Sequence, residues 1–351
     1  MSYRHVLLIL LSCLCAEAGA RAEYKIATDS ENSTYIEIGK DLMKYVAAPA
    51  GIDLQVVPSK GSVENVKRLR DERGTRFALV QSDVYQAFKD QAAAGNAEAA
   101  RLIEPLRVIL PLYDEEIHFI VRADSPLEFV HEIENRKINI GLLGSGAAMT
   151  AVTLYRLMFD HPINAGYFTT YSNEEALLKL ARDKSMDVVV VVSGQPTRLL
   201  LGMEPGVEKY FKLLKFDPAP YAYPSASARA LRAYSQTSLW AASYPNWLTE
   251  DIPALSVKTF LVTYDYKPER IKQEMSNFVR SLCANLPLLQ QKGHLKWRQV
   301  SLELPPLGKG WSYYGPTEQE LARCAALKTK PVSVCTQQEM VMGLCKGNSA
   351  P

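Results

Sequence analysis

Short apolar runs alternate with amphipathic segments along most of this chain of 351 residues. In the first third, each apolar run is followed by a polar turn and then by apolar residues at helical spacing. The runs are YKIAT, DLQVV and RFALV. Ser62 is the predicted N-cap of the helix that follows the second run. The pattern predicts three strand–turn–helix units.

The pattern changes in the middle of the chain and then resumes. LRVILPLY and EIHFIVRA are two extended apolar runs, joined by the acidic DEE with no helix between them. Three further strand–turn–helix units follow, and the run ALSVKTFLVTY with a helix from residue 269 to about 290 leads the chain back. The alternation predicts an α/β fold of two similar lobes with parallel sheets, joined by a hinge of extended segments.

This organisation divides the chain into successive segments. Residues 1–22 are the predicted signal peptide, residues 23–112 begin the first lobe, and residues 113–255 form the second lobe. Residues 256–316 are expected to complete the first lobe with a return strand and a helix. Residues 317–351 form an extra cysteine-bearing tail with the pattern of two short helices.

The N-terminus has the features of an export signal. A basic start is followed by the apolar stretch VLLILLSCLCA and by small residues, with cleavage predicted after Ala22. The apolar stretch is too short to span a bilayer. We therefore expect a free periplasmic protein, and lipid anchoring at Cys13 is the less favoured alternative.

An exported chain can form disulfides, and the cysteines beyond the signal are Cys283, Cys324, Cys335 and Cys345. We expect Cys335 to pair with Cys324 or Cys345, which would tie the tail to the first lobe. Cys283 is the natural fourth partner if its helix packs under the tail. No histidine stands at metal-ligand spacing to these cysteines, so we expect no zinc site.

Composition and motifs argue against several functions. With 40 basic and 38 acidic residues, the chain has no charge excess suited to nucleic acid. The sequence contains no dinucleotide-binding or P-loop glycine motif, no G-x-S-x-G and no H-E-x-x-H, and its histidines are scattered. We expect a monomer that is not an enzyme and that needs no metal or organic cofactor.

Polar turns follow the predicted strands at the edge where open α/β sheets bind ligands. They are residues 28–33, 59–62, 81–83, 144–146 and 193–195. Each precedes a helix, whose N-terminal N–H groups and dipole favour an anion. Serine, aspartate and glycine also cap helices without any ligand, and for a single turn that interpretation is favoured. Turns from two facing lobes together predict a cleft that holds a small carboxylate.

Four stretches resemble the TAXI family of TRAP-transporter solute receptors, from about residue 24 to about residue 316. They are KGSVENVKRL, FALVQSDVYQAF, LPLYDEEIHFIVRADS and GLLGSGAAMTAV. The resemblance implies a type II periplasmic-binding-protein fold with the ligand cleft between its lobes. It also implies that the protein delivers a small organic acid or amino acid to the membrane permease subunits of a TRAP transporter.

The resemblance further implies ligand-binding positions, which match the family's motifs residue by residue. They are Thr28, Ser30, Thr34, Tyr35, Ser59, Gly61, Ser62, Gln81, Ser82, Asp83, Gly144, Ser145 and Gly146. Lys60 is a further candidate, which replaces a family glycine and either faces the ligand or points outward. Asp29, Asn32 and Ser33 also replace glycines, and their Cβ atoms narrow the first loop. The family's usual ligand is therefore not carried over.

Other functions fit the same fold. The chain could serve an ABC importer or a sensor instead of a TRAP transporter. A neighbouring gene for a fused membrane permease would favour the TRAP transporter, whereas a neighbouring ATPase gene would favour the ABC importer. A periplasmic enzyme in the same cleft would turn its ligand over. A structural or adhesive envelope protein would have a vestigial cleft, and the cysteine-bearing tail keeps that alternative open.

Overall fold

The computed structural model describes residues 22–221 and 224–329. The strands are β1 (Ala22–Ala27), β2 (Ile52–Val57), β3 (Thr75–Gln81), β4 (Leu106–Arg122), β5 (Ile138–Asn139), β6 (Phe168–Thr169), β7 (Val188–Ser193), β8 (Phe211–Leu213), β9 (Ser235–Leu239) and β10 (Ile252–Tyr264). The α-helices are α1 (Thr34–Leu42), α2 (Ser62–Asp71), α3 (Ser82–Ala93), α4 (Ala97–Ile103), α5 (Gly146–Phe159), α6 (Asn173–Arg182), α7 (Arg198–Leu201), α8 (Pro224–Ala230), α9 (Glu269–Lys292) and α10 (Gly315–Thr329).

One mixed sheet runs through both lobes in the order β2-β1-β3-β10-β4-β7-β5-β6, with β8 beside β4 and β9 beside β10. The outer strands are parallel: β1 pairs with β2 and β3, and β5 pairs with β6 and β7. The central strands β4 and β10 run antiparallel to their neighbours. The predicted α/β class is therefore confirmed, with parallel strands in each lobe and an antiparallel pair between them.

The two central runs that the sequence analysis separates at DEE form one strand, β4, of 17 residues. It pairs with β10 from Leu106 opposite Tyr264 to Ile117 opposite Leu255. The acidic residues do not end the strand, because each finds a partner within the fold; the Asp114 carboxylate, for example, lies 2.9 Å from Lys258 Nζ on β10. Two long strands therefore connect the lobes.

Buried apolar side chains form cores in both lobes. The first-lobe core contains Leu110 of β4 and Leu261 of β10, with Phe278 of α9 packed beside them. The second-lobe core contains Phe119 of β4 and Leu255 of β10. Because the same two strands contribute to both cores at different points along their length, the molecule has two lobes joined through a continuous sheet. The predicted two-lobed fold is confirmed.

The chain after β10 returns to the first lobe. Helix α9 buries Phe278 and Leu282 in the first-lobe core, and α10 adds Leu321 to it. A disulfide joins Cys283 of α9 to Cys324 of α10. A pairing of Cys324 with Cys335 is therefore wrong, because α10 lies against α9 and brings Cys324 to Cys283. The expectation that Cys283 is a partner if its helix packs under the tail is confirmed.

Some predictions concern residues outside the described ranges. These are the signal peptide up to residue 21, the second tail helix, and the pairing of Cys335 with Cys345. Within residues 22–221 and 224–329, no helix combines the length and the apolar composition needed to cross a bilayer.

Candidate functional site

Polar turns of the two lobes lie directly opposite each other. The Glu64 backbone N–H at the start of α2 donates to the Gly144 carbonyl of the second lobe, with 3.0 Å between N and O. Gly61 lies against Gly146, since a Cβ on Gly61 would be 3.2 Å from the Gly146 nitrogen. The turns at residues 59–62 and 144–146, which the sequence analysis places on facing lobes, therefore lie against each other.

Glycine is required on both sides of this contact. Gly61 has a φ of 111°, which favours glycine because it carries no Cβ. A Cβ on Gly146 would overlap Gln81 Oε1 and would lie 2.9 Å from Ser62 Oγ. The close approach of the two lobes therefore depends on the absence of side chains at these positions.

A cavity of about 70 Å³ lies between the lobes beside this contact. It is small compared with the roughly 300–1,000 Å³ of pockets for drug-sized ligands. The first lobe contributes Asp29, Ser30, Asn32, Ser33, Ser59 and Lys60 to its lining. The second lobe contributes Gly141, Leu142, Ser145, Ala147, Ser172, Asn173, Glu174, Val191, Val192, Ser193, Thr197 and Leu199. Among the described residues, no cluster of histidine, cysteine and acidic side chains is arranged to hold a metal.

The cavity lining carries charges of both signs that are not paired with each other. Desolvation raises the pKa of Asp29 to about 7, against a hydrogen bond from the Ser30 N–H (2.7 Å to Oδ1) that lowers it. The negative charges of Glu174 and Glu64 raise it further. Lys60 is exposed and forms no ion pair with any residue that the structure describes.

The N-terminal turns of the helices around the cavity are already capped by serine side chains. The hydroxyl of Ser33 accepts from the Ile36 N–H, that of Ser145 from the Ala148 N–H, and that of Ser172 from the Glu175 N–H. Ser145 therefore caps α5, as the alternative interpretation of the polar turns holds, and it also lines the cavity. The helix dipoles still point their positive ends toward this region.

A buried polar network lies behind the contact between the lobes. Gln81 Nε2 donates to Glu115 Oε2 at 2.9 Å, and the Gln81 backbone N–H donates to Ser62 Oγ at 3.1 Å. Gln81 Oε1 is buried against Gly146 and has no hydrogen-bond partner among the residues that the structure describes. Desolvation raises the pKa of Glu115 to about 8, with the hydrogen bond from Gln81 acting in the opposite direction. Burial of Glu115 therefore favours its protonated form.

A second set of contacts joins the lobes at the base of the cleft. Lys296 Nζ lies 2.5 Å from Glu116 Oε1, and both side chains are buried. The other oxygen of Glu116 accepts from the Gln195 backbone N–H at 2.7 Å. Thr34 of the first lobe donates to the Gly194 carbonyl at 2.6 Å. The turn at residues 193–195 is therefore held by both the central strand and the first lobe.

Asp83 is not part of the cavity. Its Oδ2 accepts from Thr150 Oγ1 at 2.7 Å and from the Tyr234 hydroxyl at 2.9 Å, and both partners belong to the second lobe. Asp83 lines a different groove of about 670 Å³ between α3, α4 and α5. Asp83 is one of the predicted ligand-binding positions, but it does not line this cavity because it is the second residue of α3 and faces α5.

The other predicted site residues divide into groups. Ser30, Ser59, Lys60 and Ser145 line the cavity. A second group lies where the two lobes touch: Thr34, Gly61, Gln81, Gly144 and Gly146.

The remaining predicted residues belong to neither group. Thr28 is buried and donates to the Val57 carbonyl, and the buried Tyr35 hydroxyl lies 3.4 Å from Ser62 Oγ. Ser82 is half-buried at the start of α3. Ser62 accepts from Gln81 rather than capping α2, whose N-cap is Gly61.

Several lining residues are absent from the predicted set. Asp29, Asn32 and Ser33 enter the sequence analysis only as departures from a glycine-rich loop. Ser172 is the N-cap of α6, Asn173 and Glu174 are the first two residues of that helix, and Thr197 follows β7. A usable signal exists for these turns, because each repeats the strand–polar turn–helix pattern of the first lobe.

A family model described as the NMT1-like family matches residues 26–304 of this chain. The match covers both lobes and includes every residue that lines the cavity.

Several solved structures are similar to the chain. The periplasmic binding protein BugD is 13% identical, with 88% of this chain and 97% of that chain covered and a TM-score of 0.47. The putative sulfonate ABC transporter periplasmic protein SsuA from Methylobacillus flagellatus KT is 10% identical, with 78% and 70% covered and a TM-score of 0.44. The arginine-, lysine-, histidine-binding protein ArtJ from Geobacillus stearothermophilus is 9% identical, with 81% and 97% covered and a TM-score of 0.44.

Proposed function

This chain belongs to the NMT1-like family, a family of periplasmic-binding-protein type, and from that premise we propose that it is an extracytoplasmic solute-binding protein. Its ligand is a small carboxylate, either an organic acid or an amino acid. The lobes close around the ligand, and the protein delivers it to a membrane permease. The role is binding and delivery rather than turnover.

The observation that carries this proposal is the cavity between the lobes, lined by polar turns of both. Ser59 and Lys60 line it from the first lobe, and Ser145 and Ser193 line it from the second. Helices α1, α5 and α6 begin beside it, so the positive ends of their dipoles favour a carboxylate there. Neutral donors can hold a carboxylate and release it without leaving a charge buried and unpaired.

Closure of the lobes is a hinge motion about β4 and β10. These two strands are the long elements shared by both cores, so bending them moves one lobe relative to the other. The bonds from Thr34 to Gly194 and from Glu64 to Gly144 cross between the lobes. They break on opening, and a ligand that contacts both lobes stabilises the form in which they are made.

We propose a TRAP-type permease as the partner and the periplasm as the location. The support is the TAXI-like motifs KGSVENVKRL, FALVQSDVYQAF and GLLGSGAA together with the signal-like N-terminus. An ABC importer or a sensor remains the second candidate, because ligand capture between two lobes serves either system. A fused permease gene beside this gene would favour the first and an ATPase gene the second.

A thermal-shift screen with matched variants tests the proposal. We expect organic acids or amino acids, but not sugars or divalent cations, to raise the melting temperature. Lys60→Gln should weaken binding about 10-fold or more, because a hydrogen bond to a charged group contributes about 1.5–3 kcal/mol. Lys209→Gln is the control, since Lys209 is exposed and lies outside the cavity lining. Stabilisation by sugars or cations alone would overturn the proposal.

A further inference from the structure

We propose that the ligand is a zwitterion, whose ammonium group pairs with Asp29 and whose carboxylate group faces Lys60. The inference rests on the proposed function and narrows its ligand class from carboxylates to small amino acids. It comes from the charges of the cavity lining, which contains both signs within one small space.

Asp29 is a carboxylate without a cationic partner. Its Oδ1 accepts from the Ser30 N–H at 2.7 Å, and among the described residues it takes part in no ion pair. A Cβ built on Gly61 would lie 3.4 Å from Asp29 Oδ2, so the carboxylate lies against the contact between the lobes. A desolvated carboxylate is unfavourable unless it is paired or protonated, and a ligand ammonium group supplies the missing charge.

The surroundings of Asp29 strengthen this preference. Glu174 lines the same cavity, and both Glu174 and Glu64 act electrostatically on Asp29. Glu64 is neutralised by Arg68, whose Nη2 lies 2.5 Å from its Oε1. Glu174 accepts only from Asn32 Nδ2 at 3.2 Å and has no ion pair among the described residues. The end of the cavity near Asp29 and Glu174 is therefore acidic.

Lys60 provides the opposite charge at the boundary between the lobes. Its Cδ lies 3.8 Å from the position of a Cβ on Gly144, so its side chain extends along the second lobe's turn. Lys60 is an exposed residue, and its ammonium group forms no ion pair with any described residue. A ligand carboxylate near Lys60 would gain both that cation and the N-terminal dipole of α5.

Two other ligand classes fit less well. A dicarboxylate would bring its second negative charge toward Asp29 and Glu174. Repulsion between these like charges would oppose binding. A diamine would leave Lys60 opposite another cation. A small amino acid matches both signs, and the cavity volume of about 70 Å³ suits a ligand of few atoms.

Calorimetry with matched pairs of ligands tests the inference. The pairs are alanine with lactate, serine with glycerate, and aspartate with malate, because each differs in an amino group against a hydroxyl. We expect at least one amino acid to bind about 10-fold or more tightly than its hydroxy acid. A charge-assisted hydrogen bond between the ligand ammonium group and Asp29 would account for a difference of this size. Asp29→Asn should remove this preference by weakening the affinity for that amino acid about 10-fold or more.

Glu31→Gln is the matched control. It makes the same charge change in the same loop, but Glu31 is exposed and does not line the cavity. Equal affinity of the wild-type protein for both members of every pair would overturn the inference and leave the proposed function standing. Failure of every carboxylate to bind would overturn both. The comparison of pairs in the wild-type protein requires no variant, so it holds even if Asp29→Asn folds poorly.

Discussion

Gly146→Ala should prevent full closure of the lobes without unfolding either of them. Gly146 is the first residue of α5, and its new Cβ would overlap Gln81 Oε1 and lie 2.9 Å from Ser62 Oγ. Both contacts belong to the opposite lobe. Alanine is the better helix former by about 1 kcal/mol in a helix interior, so α5 itself is not weakened. The substitution therefore destabilises the contact between the lobes and not the helix.

The magnitude follows from what must move. Gln81 can turn away only by giving up its hydrogen bond to Glu115, or the lobes must separate by a fraction of an ångström. Overpacking of this kind costs about 1–3 kcal/mol. The population of the closed form relative to the open form should then fall by about 5- to 150-fold. The affinity for a ligand that binds the closed form should fall by a similar factor.

Small-angle X-ray scattering and calorimetry measure the two effects. We expect Gly146→Ala to increase the radius of gyration in the presence of ligand and to weaken binding, with little loss of melting temperature. Gly315→Ala is the control, because Gly315 is also the first residue of a helix and a Cβ added there would meet no described residue outside its own helix turn within 4 Å. It should leave both quantities unchanged.

A double variant separates closure from other effects. Gln81→Ala removes the side chain that clashes with the new methyl group, so the combination with Gly146→Ala should recover part of the closed population. The two substitutions should therefore be non-additive in the scattering measurement. Wild-type scattering and affinity for Gly146→Ala, or a double variant as open as the single one, would refute the reasoning.

Two further predictions concern stability. Replacing Cys283 and Cys324 by serine should lower the free energy of unfolding in urea by up to roughly 4 kcal/mol, the chain-entropy value for their separation of 41 residues; equal stability of variant and wild type would contradict this. Glu115 and Asp29 have folded-state pKa values of about 8 and about 7, above their ordinary 4.5 and 3.8. Each group contributes fully to the free energy of unfolding when the pH is below its ordinary pKa. This contribution is lost as the pH rises through its folded-state pKa. Urea unfolding from pH 4 to pH 9 should show this decline, and Glu115→Gln should reduce it; an unchanged slope in that variant would exclude Glu115 as a source.

The two lobes and most helices and strands can be predicted from the hydrophobic periodicity of the sequence. A helix or strand that buries one face must carry apolar residues at regular spacing, and this pattern is local in the sequence. The continuity of β4 does not follow, since a run of three acidic residues normally indicates an exposed turn. Asp114 lies beside Lys258, Glu115 accepts from Gln81, and Glu116 pairs with Lys296. These partners are far away in the chain, and the local sequence does not contain the information that they are there.

The disulfide illustrates the same limit in another form. Clustering near the C-terminus favours pairing within the tail, because short loops bring cysteines together most readily. In the structure, Cys324 instead faces Cys283 across two packed helices, α9 and α10. The pairing is decided by which face of α10 carries Leu321 into the first-lobe core, and that is a property of the packed molecule.

The two aspartates of the first-lobe turns show why motif matches fix the place of a site better than its chemistry. Asp83 matches a family motif, yet as the second residue of α3 it is turned toward Thr150 and Tyr234 and joins the lobes outside the cavity. Asp29 departs from the motif, yet it lies in the loop after β1 and lines the cavity. A glycine-rich loop presents only backbone groups to a ligand, whereas this loop adds a carboxylate. The charge of the cavity lining is therefore determined by the residues that depart from the motif.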